Sequence, residues 1–388
     1  MSWPLVAIKE VAKVVTGKTP STVDDQNFGG DIPFVTPAEL GLDTYVASAP
    51  RTLSAKGASE IKLVPKNAVM VCCIGSLGKM AIAGTSVATN QQINSVIFDE
   101  NRVDAKYGFY ALQLLKPKME AMAPSTTVAI VNKGNFEAMQ IPLPPLPEQK
   151  RIAAILDKAD AIRRKRQQAI QLADDFLRAV YLDMFGDPVT NPKGWDVVEL
   201  STLVDPRDKL NYGVVQPGGN EEDGVPLVRS GDLSDVTPDV NQLRRVSASI
   251  DSKHRKSKLK GNEILLACVG TIGRVGWVSD AMVGWNIARA VTRIPIREGV
   301  NREYVYRYLQ SPVVQGYFER ETRAVAQPTL NVGLIAKTPV ALPPQDLQIA
   351  FLERYGTIQA HKERLLNALD AQERLAGSLS QRAFSGKL

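Results

Sequence analysis

The chain has 388 residues, of which 44% are hydrophobic and 23% are charged, values typical of an ordinary globular protein of two to four domains. No apolar run is long enough to span a bilayer, and the N-terminus lacks the pattern of a signal peptide. Three cysteines cannot build a disulfide framework, so a reducing cytoplasm is the expected location. The excess of 47 basic over 41 acidic residues is compatible with a polyanionic partner without indicating one by itself.

In chain order, the first strong feature is a segment that returns in the second half. Residues 68–79 (AVMVCCIGSLGK) match residues 263–274 (EILLACVGTIGR), at an offset of 270 − 75 = 195. Weaker matches extend this repeat to both sides, and Asn90 can be set on Asn286. A period this long indicates duplicated domains rather than a solenoid. Two similar surfaces suit a target with two parts.

Each half begins with roughly 140 residues of short β-branched and apolar runs, broken by Gly, Pro, Asn and Asp. These runs predict strands, at 68–74, 95–98, 263–269 and 290–294. Short helical patterns follow at 107–115 and 303–309. The alternation predicts a compact α+β domain in each half.

Each half ends with a proline-rich stop and a long heptad pattern. A proline run cannot be helical itself, but a proline at the first helical position starts a helix well. The apolar rows that follow predict two long helices packed as an antiparallel coiled coil, part of an internal pseudo-twofold repeat. The expected order is a globular domain over 1–142, a helix over 143–186, a second domain over 187–341 and a second helix over 342–388. The side chains expected to bury against a partner helix are Ile155, Ile162, Phe176, Ile358, Leu365 and Leu369. The companion row of the first helix contains Ile152, Ala159, Ala173 and Val180, and Arg166 interrupts it.

Motifs for catalysis are missing from the sequence. Residues 12–19 come close to a phosphate-binding loop, but Pro20 and the turn after it replace the helix that such a loop needs. His254 and His361 are isolated, so they predict neither a zinc cluster nor a base dyad. Cys73 and Cys268 lie in apolar runs, which favours small buried side chains over nucleophiles. The sequence predicts a binding protein with no catalytic or metal residues.

The repeated Gly-Ser/Thr-x-Gly-Lys/Arg turn offers backbone amides, a hydroxyl and a cation that together suit a phosphate oxygen; the alternative is a plain turn with a solvated cation. Asn and Gln pair with adenine in the major groove, and Arg pairs with guanine, although exposed turn polarity explains each such residue equally well. The candidate DNA contacts are Lys18, Thr19, Ser76, Lys79, Asn90, Gln91, Gln92, Tyr212, Gln216, Thr271, Arg274, Asn286 and Arg289. A basic stretch over 254–258 suits contact with a nucleic-acid backbone.

The whole pattern resembles the specificity subunit of type I restriction–modification systems. The resemblance rests on residues 143–152 (LPPLPEQKRI), on the segment ending MFGDP at 184–188, on the two glycine turns, on Asn90-Gln-Gln92 and on the terminal AFSGKL. It covers essentially the full length, although residues 344–348 depart from the first copy at the start of the second helix.

The resemblance implies a non-catalytic DNA-reading subunit, in which each globular target recognition domain reads one half of a bipartite site in double-stranded DNA. The helices would set the spacing and dock two modification subunits, which carry S-adenosylmethionine. Restriction subunits that use ATP and Mg²⁺ would also join. Two alternatives stay open: a methyltransferase or nuclease with an unrecognised site, and a coiled-coil adaptor that never touches DNA.

Overall fold

The computed structural model describes residues 3–123, 128–187, 190–322 and 329–388. It divides into two compact units, the first of Met1–Gln168 with Leu366–Leu388 and the second of Ala169–Leu365. No helix within the described ranges is long and apolar enough to cross a membrane.

The first unit contains three sheets, of strand order β2-β9-β6-β7-β4, β5-β3-β8 and β1-β10. Its strands are β1 (Leu5–Ala7), β2 (Ala12–Thr16), β3 (Phe28–Val35), β4 (Tyr45–Val46), β5 (Thr52–Leu53), β6 (Val69–Cys72), β7 (Met80–Ala83), β8 (Ala88–Thr89), β9 (Ile93–Phe98) and β10 (Gln140–Pro142). Its helices are α1 (Ile8–Val11), α2 (Ala55–Ser59), α3 (Ala105–Gln113), α4 (Lys116–Met122), α5 (Lys133–Glu137) and the first part of α6 (Leu146–Phe185).

The second unit repeats this plan with sheets of order β12-β18-β15-β16, β14-β13-β17 and β11-β19. Its strands are β11 (Asp196–Glu199), β12 (Asn211–Tyr212), β13 (Val225–Val228), β14 (Arg244–Val246), β15 (Glu263–Ala267), β16 (Val275–Trp277), β17 (Asn286–Ile287), β18 (Val291–Pro295) and β19 (Pro339–Leu342). Its helices, besides the rest of α6, are α7 (Ala248–Lys253), α8 (Arg302–Leu309), α9 (Pro312–Thr322), α10 (Val332–Ala336) and most of α11 (Gln345–Phe384). The α+β prediction for each half is confirmed. The four strands predicted from the sequence correspond to β6, β9, β15 and β18.

Strand β6 and residues 264–267 of β15 are apolar on both faces because each sheet is covered on both sides. Val69 and Val71 belong to the core on the helical side, whereas Met70 and Cys72 belong to a separate core on the other side. Successive side chains of a strand point to opposite faces. A strand between two cores therefore reads as a continuous apolar run rather than an alternating one.

The start of each long helix is held by a buried glutamine. Gln149 is fully buried, and its amide nitrogen donates to the carbonyls of Pro144 and Arg102, each at 2.8 Å. Gln348 donates in the same way to the carbonyl of Pro343 at 2.8 Å. The carbonyls of Pro144 and Pro343 lie outside the helices, and buried backbone carbonyls need a hydrogen-bond donor. The glutamine side chains supply these donors.

The buried rows of α6 correct the predicted heptad register. One buried or half-buried row was predicted and contains Ile152, Ala159, Arg166, Ala173 and Val180. The other contains Leu156, Arg163, Ile170, Leu177 and Met184, one residue beyond the predicted row. Ile155 is half-buried, but Ile162 is 49% and Phe176 is 56% exposed, so their prediction as seam residues is wrong. The aliphatic part of an arginine side chain can pack along a helix while its guanidinium stays in water. Because Arg163 and Arg166 occupy positions of the buried rows, the hydrophobic pattern did not show these rows.

On α11, the predicted residues Ile358, Leu365 and Leu369 are half-buried. Within the first unit, Arg166 donates to the carbonyl of Ala368 and Gln372 donates to that of Ala159 at 2.8 Å. Higher numbers on α6 meet lower numbers on α11, so the two segments run antiparallel there.

The second unit shows the same direction, because Asp174 pairs with Lys362 and Tyr181 packs on Phe351 with ring centroids 5.9 Å apart.

Candidate nucleic-acid interface

In the first unit, three loops leave the same end of the five-stranded sheet. β2 ends where β9 begins, and β6 ends beside the same residues of β9. Because these neighbours are antiparallel, the loops over 17–20, 73–79 and 90–92 emerge together at one edge. All seven contacts predicted for this half lie on these three loops.

Hydrogen bonds tie the three loops to one another. The backbone amide of Lys18 donates to the carbonyl of Thr89 at 2.9 Å. The hydroxyl of Thr19 donates to Oε1 of Gln91 at 2.8 Å. Nε2 of Gln92 donates to the carbonyl of Ile74 at 3.4 Å. These bonds hold the polar side chains of the edge in a defined arrangement.

The predicted contacts of this edge differ in how far they can reach a ligand. Asn90 is only 9% exposed and donates to Oε1 of Gln92 at 2.9 Å, so it supports the loop rather than facing outward. Thr19 and Gln92 are half-buried. The exposed side chains are Lys18, Ser76, Lys79 and Gln91.

Lys79 lines a cleft beside α6 with Asp43, Asp160, Arg163 and Arg164. Arg164 pairs with both carboxylates, and Arg163 also pairs with Asp160 at 2.7 Å. Both carboxylates of the cleft are thus neutralised by arginines. Lys79 has no ion-pair partner among the described residues, and together with Lys116 it makes the cleft net positive.

In the second unit, the corresponding loops over 213–216, 268–274 and 288–290 leave the matching end of the four-stranded sheet. β12 ends where β18 begins, and β15 ends beside the same residues. The amide of Arg289 donates to the carbonyl of Val214 at 2.9 Å, and the amide of Cys268 donates to that of Ala290 at 2.8 Å. The edge is therefore built twice, with the same backbone links.

Five of the six contacts predicted for the second half are accessible. Gln216, Thr271, Arg274 and Arg289 are exposed, and Tyr212 is 38% exposed. The Tyr212 hydroxyl accepts from the amide of Val332 at 3.0 Å, and burial raises the pKa of this phenol. Tyr212 and Arg289 line one cavity.

Asn286 is the exception and corrects the prediction. Its side chain is fully buried, donates to Asp251 and accepts from Ser257, so it cannot reach a base. Equivalent hydrogen bonds also correct its pairing with Asn90: the Cys73 amide donates to the carbonyl of Gln92, just as that of Cys268 donates to Ala290.

This register makes Gln91 the structural equivalent of Arg289. Each lies one residue before the carbonyl that accepts from the inner strand. Both side chains are exposed. An amide in one unit and a guanidinium in the other occupy the same place on the same loop.

Two glycines that allow this close packing were not singled out by the sequence analysis. A Cβ added to Gly17 would lie 2.2 Å from the carbonyl oxygen of Asn90, and one on Gly213 would lie 1.8 Å from that of Ile287. No other residue fits so near a backbone. The signal was available, because both glycines directly follow an edge strand at the repeat distance.

The other groups considered for chemistry are inert or isolated. Burial raises the pKa of the Cys73 thiol to about 12 and that of the Cys268 thiol to about 11. Nδ1 of His254 lies 2.9 Å from the carbonyl oxygen of Ile250, and His361 is exposed on α11. Within the described part of the chain, no three His, Cys, Asp or Glu side chains group as metal ligands would.

Comparison with known proteins identifies one family. The profile of the type I restriction modification DNA specificity domain matches residues 2–172 and again residues 192–371. The EcoBI specificity subunit of Escherichia coli is 30% identical over 327 residues, covering 77% of this chain and 69% of that protein. The MjaIX specificity subunit of Methanocaldococcus jannaschii is 24% identical, covering 94% of this chain and 88% of that protein.

Solved structures show the same fold at lower sequence identity. The S subunit of a type I system from M. genitalium superimposes with a TM-score of 0.57 at 15% identity, covering 98% of this chain and 96% of that one. A chain from a solved type I R-M system superimposes with a TM-score of 0.61 at 17% identity, covering 100% and 98%.

Proposed function

This chain belongs to the family of type I restriction–modification DNA specificity subunits, and we propose that each unit reads one half of a bipartite site in double-stranded DNA through the loop edge of its central sheet. As a member of this family it is a DNA-recognition component without catalysis of its own. The proposed setting is a cytoplasmic complex in which partner subunits carry S-adenosylmethionine, ATP and Mg²⁺.

One observation carries this proposal: Gln91 and Arg289 are exposed at equivalent places on two copies of the same loop. A glutamine amide pairs bidentately with adenine in the major groove, whereas an arginine pairs with guanine. A duplicated framework with different tips suits a site whose two halves differ. The phosphate contacts of Lys18, Ser76 and Thr271 would position the edge without reading sequence.

The experiment maps methylated adenines in DNA of cells that express the chain together with its modification subunits. We expect Gln91→Ala to relax one half of the methylated motif and Arg289→Ala to relax the other half. A lost bidentate contact costs about 1–3 kcal/mol of discrimination. Gln140→Ala, on β10 in the separate two-stranded sheet, and Arg297→Ala change exposed residues away from the loop edges; they are matched controls and should leave the motif unchanged.

The two alternatives make opposite predictions in the same system. If the purified chain methylates or cuts DNA without a partner subunit, it is an enzyme and the proposal is wrong. If all loop variants leave the motif unchanged and the chain binds no duplex, it is an adaptor and the proposal is equally wrong.

The helices offer a surface for the modification subunits. In the first unit, Ile155, Ile162, Leu375 and Leu379 line an apolar groove between α6 and α11. Ile162 is 49% and Leu375 is 59% exposed. Side chains of this kind anchor an amphipathic helix laid into a groove, and we assign that helix to a modification subunit. The same two helices would set the distance between the half-sites.

Docking is tested by co-purification. The double variant Ile162→Ser with Leu375→Ser should lose the modification subunit while its circular dichroism stays unchanged. Val23→Ser, which alters a 94% exposed side chain of the globular part, is the control. Undiminished co-purification of the double variant would place the docking surface elsewhere.

A further inference from the structure

The second unit carries a basic segment, residues 253–258, whose backbone is fixed from beneath by buried polar side chains. The segment reads Lys-His-Arg-Lys-Ser-Lys and joins the end of α7 to the approach to β15. The side chains of Lys253, Arg255 and Lys256 are exposed. No described residue offers them a hydrogen bond or an ion pair, whereas Lys258 pairs with Asp251 at 2.7 Å.

The first anchor of this basic segment is Asn286. Its Nδ2 donates to Asp251 at 3.0 Å and to the carbonyl of His254 at 3.2 Å. Its Oδ1 accepts from the hydroxyl of Ser257 at 2.6 Å and from the amide of Ile287 at 2.9 Å. Asn286 is fully buried, and every polar atom of its side chain is used. A buried network that is satisfied in this way fixes one backbone conformation.

The second anchor is Arg293 on β18, which is also fully buried. Its Nη1 donates to the carbonyl of Lys256 at 2.7 Å, and Asn211 donates to the same oxygen at 2.6 Å. Arg293 is neutralised by Glu263 at 2.7 Å and by Asp208. An ionised arginine in a core is costly without such partners. Arg293 also donates one hydrogen bond to the backbone of the basic segment, at the carbonyl of the exposed Lys256.

The first unit has no equivalent of this charge. At the repeat offset of 195, residues 253–258 correspond to 58–63, which read Ala-Ser-Glu-Ile-Lys-Leu and carry one cation and one anion. The nearby Lys56 is neutralised by Asp24 at 2.7 Å. The repeated framework therefore carries three unpaired cations on a fixed backbone in one copy only.

We propose that Lys253, Arg255 and Lys256 form a preorganised phosphate-binding segment that grips the backbone of duplex DNA beside the loop edge of the second unit, and that Asn286 is its positioning residue. The segment lies next to that edge, because Asn211 directly precedes Tyr212 on β12, and Asn286 lies on β17, which leads into the loop that carries Arg289. A fixed backbone lowers the conformational entropy lost on binding. The grip on DNA is thus unequal, because these three cations add to the salt-dependent affinity of the second half alone. This inference rests on the proposed function.

The test measures binding of the full chain to a mixed-sequence 30-base-pair duplex by fluorescence anisotropy across a range of KCl concentrations. Each neutralised phosphate contributes about 0.9 to the slope of log affinity against log salt. The triple variant K253A/R255A/K256A should therefore lower the slope by roughly 2.7. The control K62A/K66A/K118A removes three exposed lysines of the first unit, an equal charge, and should change the slope much less.

The positioning role of Asn286 is tested with Asn286→Asp, which removes a donor and sets a second carboxylate against Asp251. Trypsin cuts after lysine and arginine, so it reports how firmly 253–258 is held. We expect slow cleavage in the native chain, slower cleavage with duplex bound, and rapid cleavage in the variant. The variant should also lose part of the salt slope while keeping all its cations.

The outcomes separate this inference from the proposed function. A native chain that binds no duplex at any salt concentration contradicts both. A native chain that binds, with equal slopes for the triple variant and its native parent, overturns the phosphate-binding segment alone. Equal slope losses in the triple variant and its lysine control would show a net-charge effect, and that also overturns it. Cleavage of Asn286→Asp at the native rate would remove the positioning role.

Discussion

Arg293→Met tests how much of the second unit depends on one buried cation. Arg293 is fully buried and bonds Glu263, also fully buried, at 2.7 and 3.1 Å, as well as Asp208 at 2.8 Å. Burial would raise the pKa of Asp208, but hydrogen bonds from Arg293 and Lys260 outweigh it and lower that pKa below its usual value. Methionine would fill much of the space and leave both carboxylates without their buried partner.

Breaking a buried ion pair by removing one side costs about 3–5 kcal/mol. A domain is stabilised by about 5–15 kcal/mol in total, so we expect a large fall in the urea concentration at the midpoint of unfolding. Tryptophan fluorescence and circular dichroism monitor this unfolding. Arg297→Met, at an exposed position just past the same strand, should stay within about 0.5 kcal/mol.

A second variant separates lost charge pairing from lost packing. The triple change Arg293→Met, Glu263→Gln and Asp208→Asn removes the buried charges, while the glutamine oxygen can still accept from the amides of Lys260 and Gly261. It should recover most of the loss, because neutral replacement of a buried ion cluster is often tolerated. A loss below about 1 kcal/mol for Arg293→Met alone would refute the reasoning, since that is the ordinary effect of a point mutation.

Two further predictions concern stability in acid and helix register. Burial would raise the pKa of Asp235, but hydrogen bonds from Tyr306 and Arg307 outweigh it and hold that pKa below its usual 3.8. The carboxylate therefore stabilises the fold above about pH 4, and this contribution is lost as the pH falls through the lowered pKa; thermal melts of Asp235→Asn should show a smaller acid-induced decline than the native chain, and equal declines would contradict the assignment. Gln372 occupies a seam position and donates to the carbonyl of Ala159 at 2.8 Å; since a polar seam residue fixes register, methylome mapping of Gln372→Leu should show sites with altered half-site spacing, and an unchanged spacing would count against this role.

Continuous apolar runs allowed the strands to be predicted. The charged residues in the buried rows of α6, by contrast, led to a wrong prediction of its heptad register. The run that forms β6 is unmistakable because two cores cover it. On α6, by contrast, the predicted row contains Ile162 and Phe176 while the buried row contains Arg163. A hydrophobic pattern cannot tell whether an apolar residue faces a helix of its own chain or a partner, since both positions exclude water.

The sequence pointed to residues that lie on the loop edge, but it did not predict that the loops meet there or which side chains face outward. Asn90 and Asn286 looked equivalent because both asparagines lie between apolar runs. The backbone links instead pair Gln91 with Arg289, which sets the two asparagines two residues apart in the repeat. An insertion in a loop of one repeat shifts the alignment of every residue after it. Only hydrogen bonds to a strand that both repeats share show which residues are equivalent.

The residues that both units share and the residues that differ between them therefore have different roles in the proposed function. Gly75 and Gly270 have φ of +80° in both units, and the turns they form present the same backbone to any ligand. A surface that is the same in both units cannot distinguish two different half-sites. Under the proposed function, discrimination arises where the edges differ, as at Gln91 against Arg289, and unequal grip arises where one copy alone carries charge, at 253–258. On this basis, exchanging glutamine and arginine between the two positions should alter which bases are read in each half, while the salt dependence of binding should stay with the second unit.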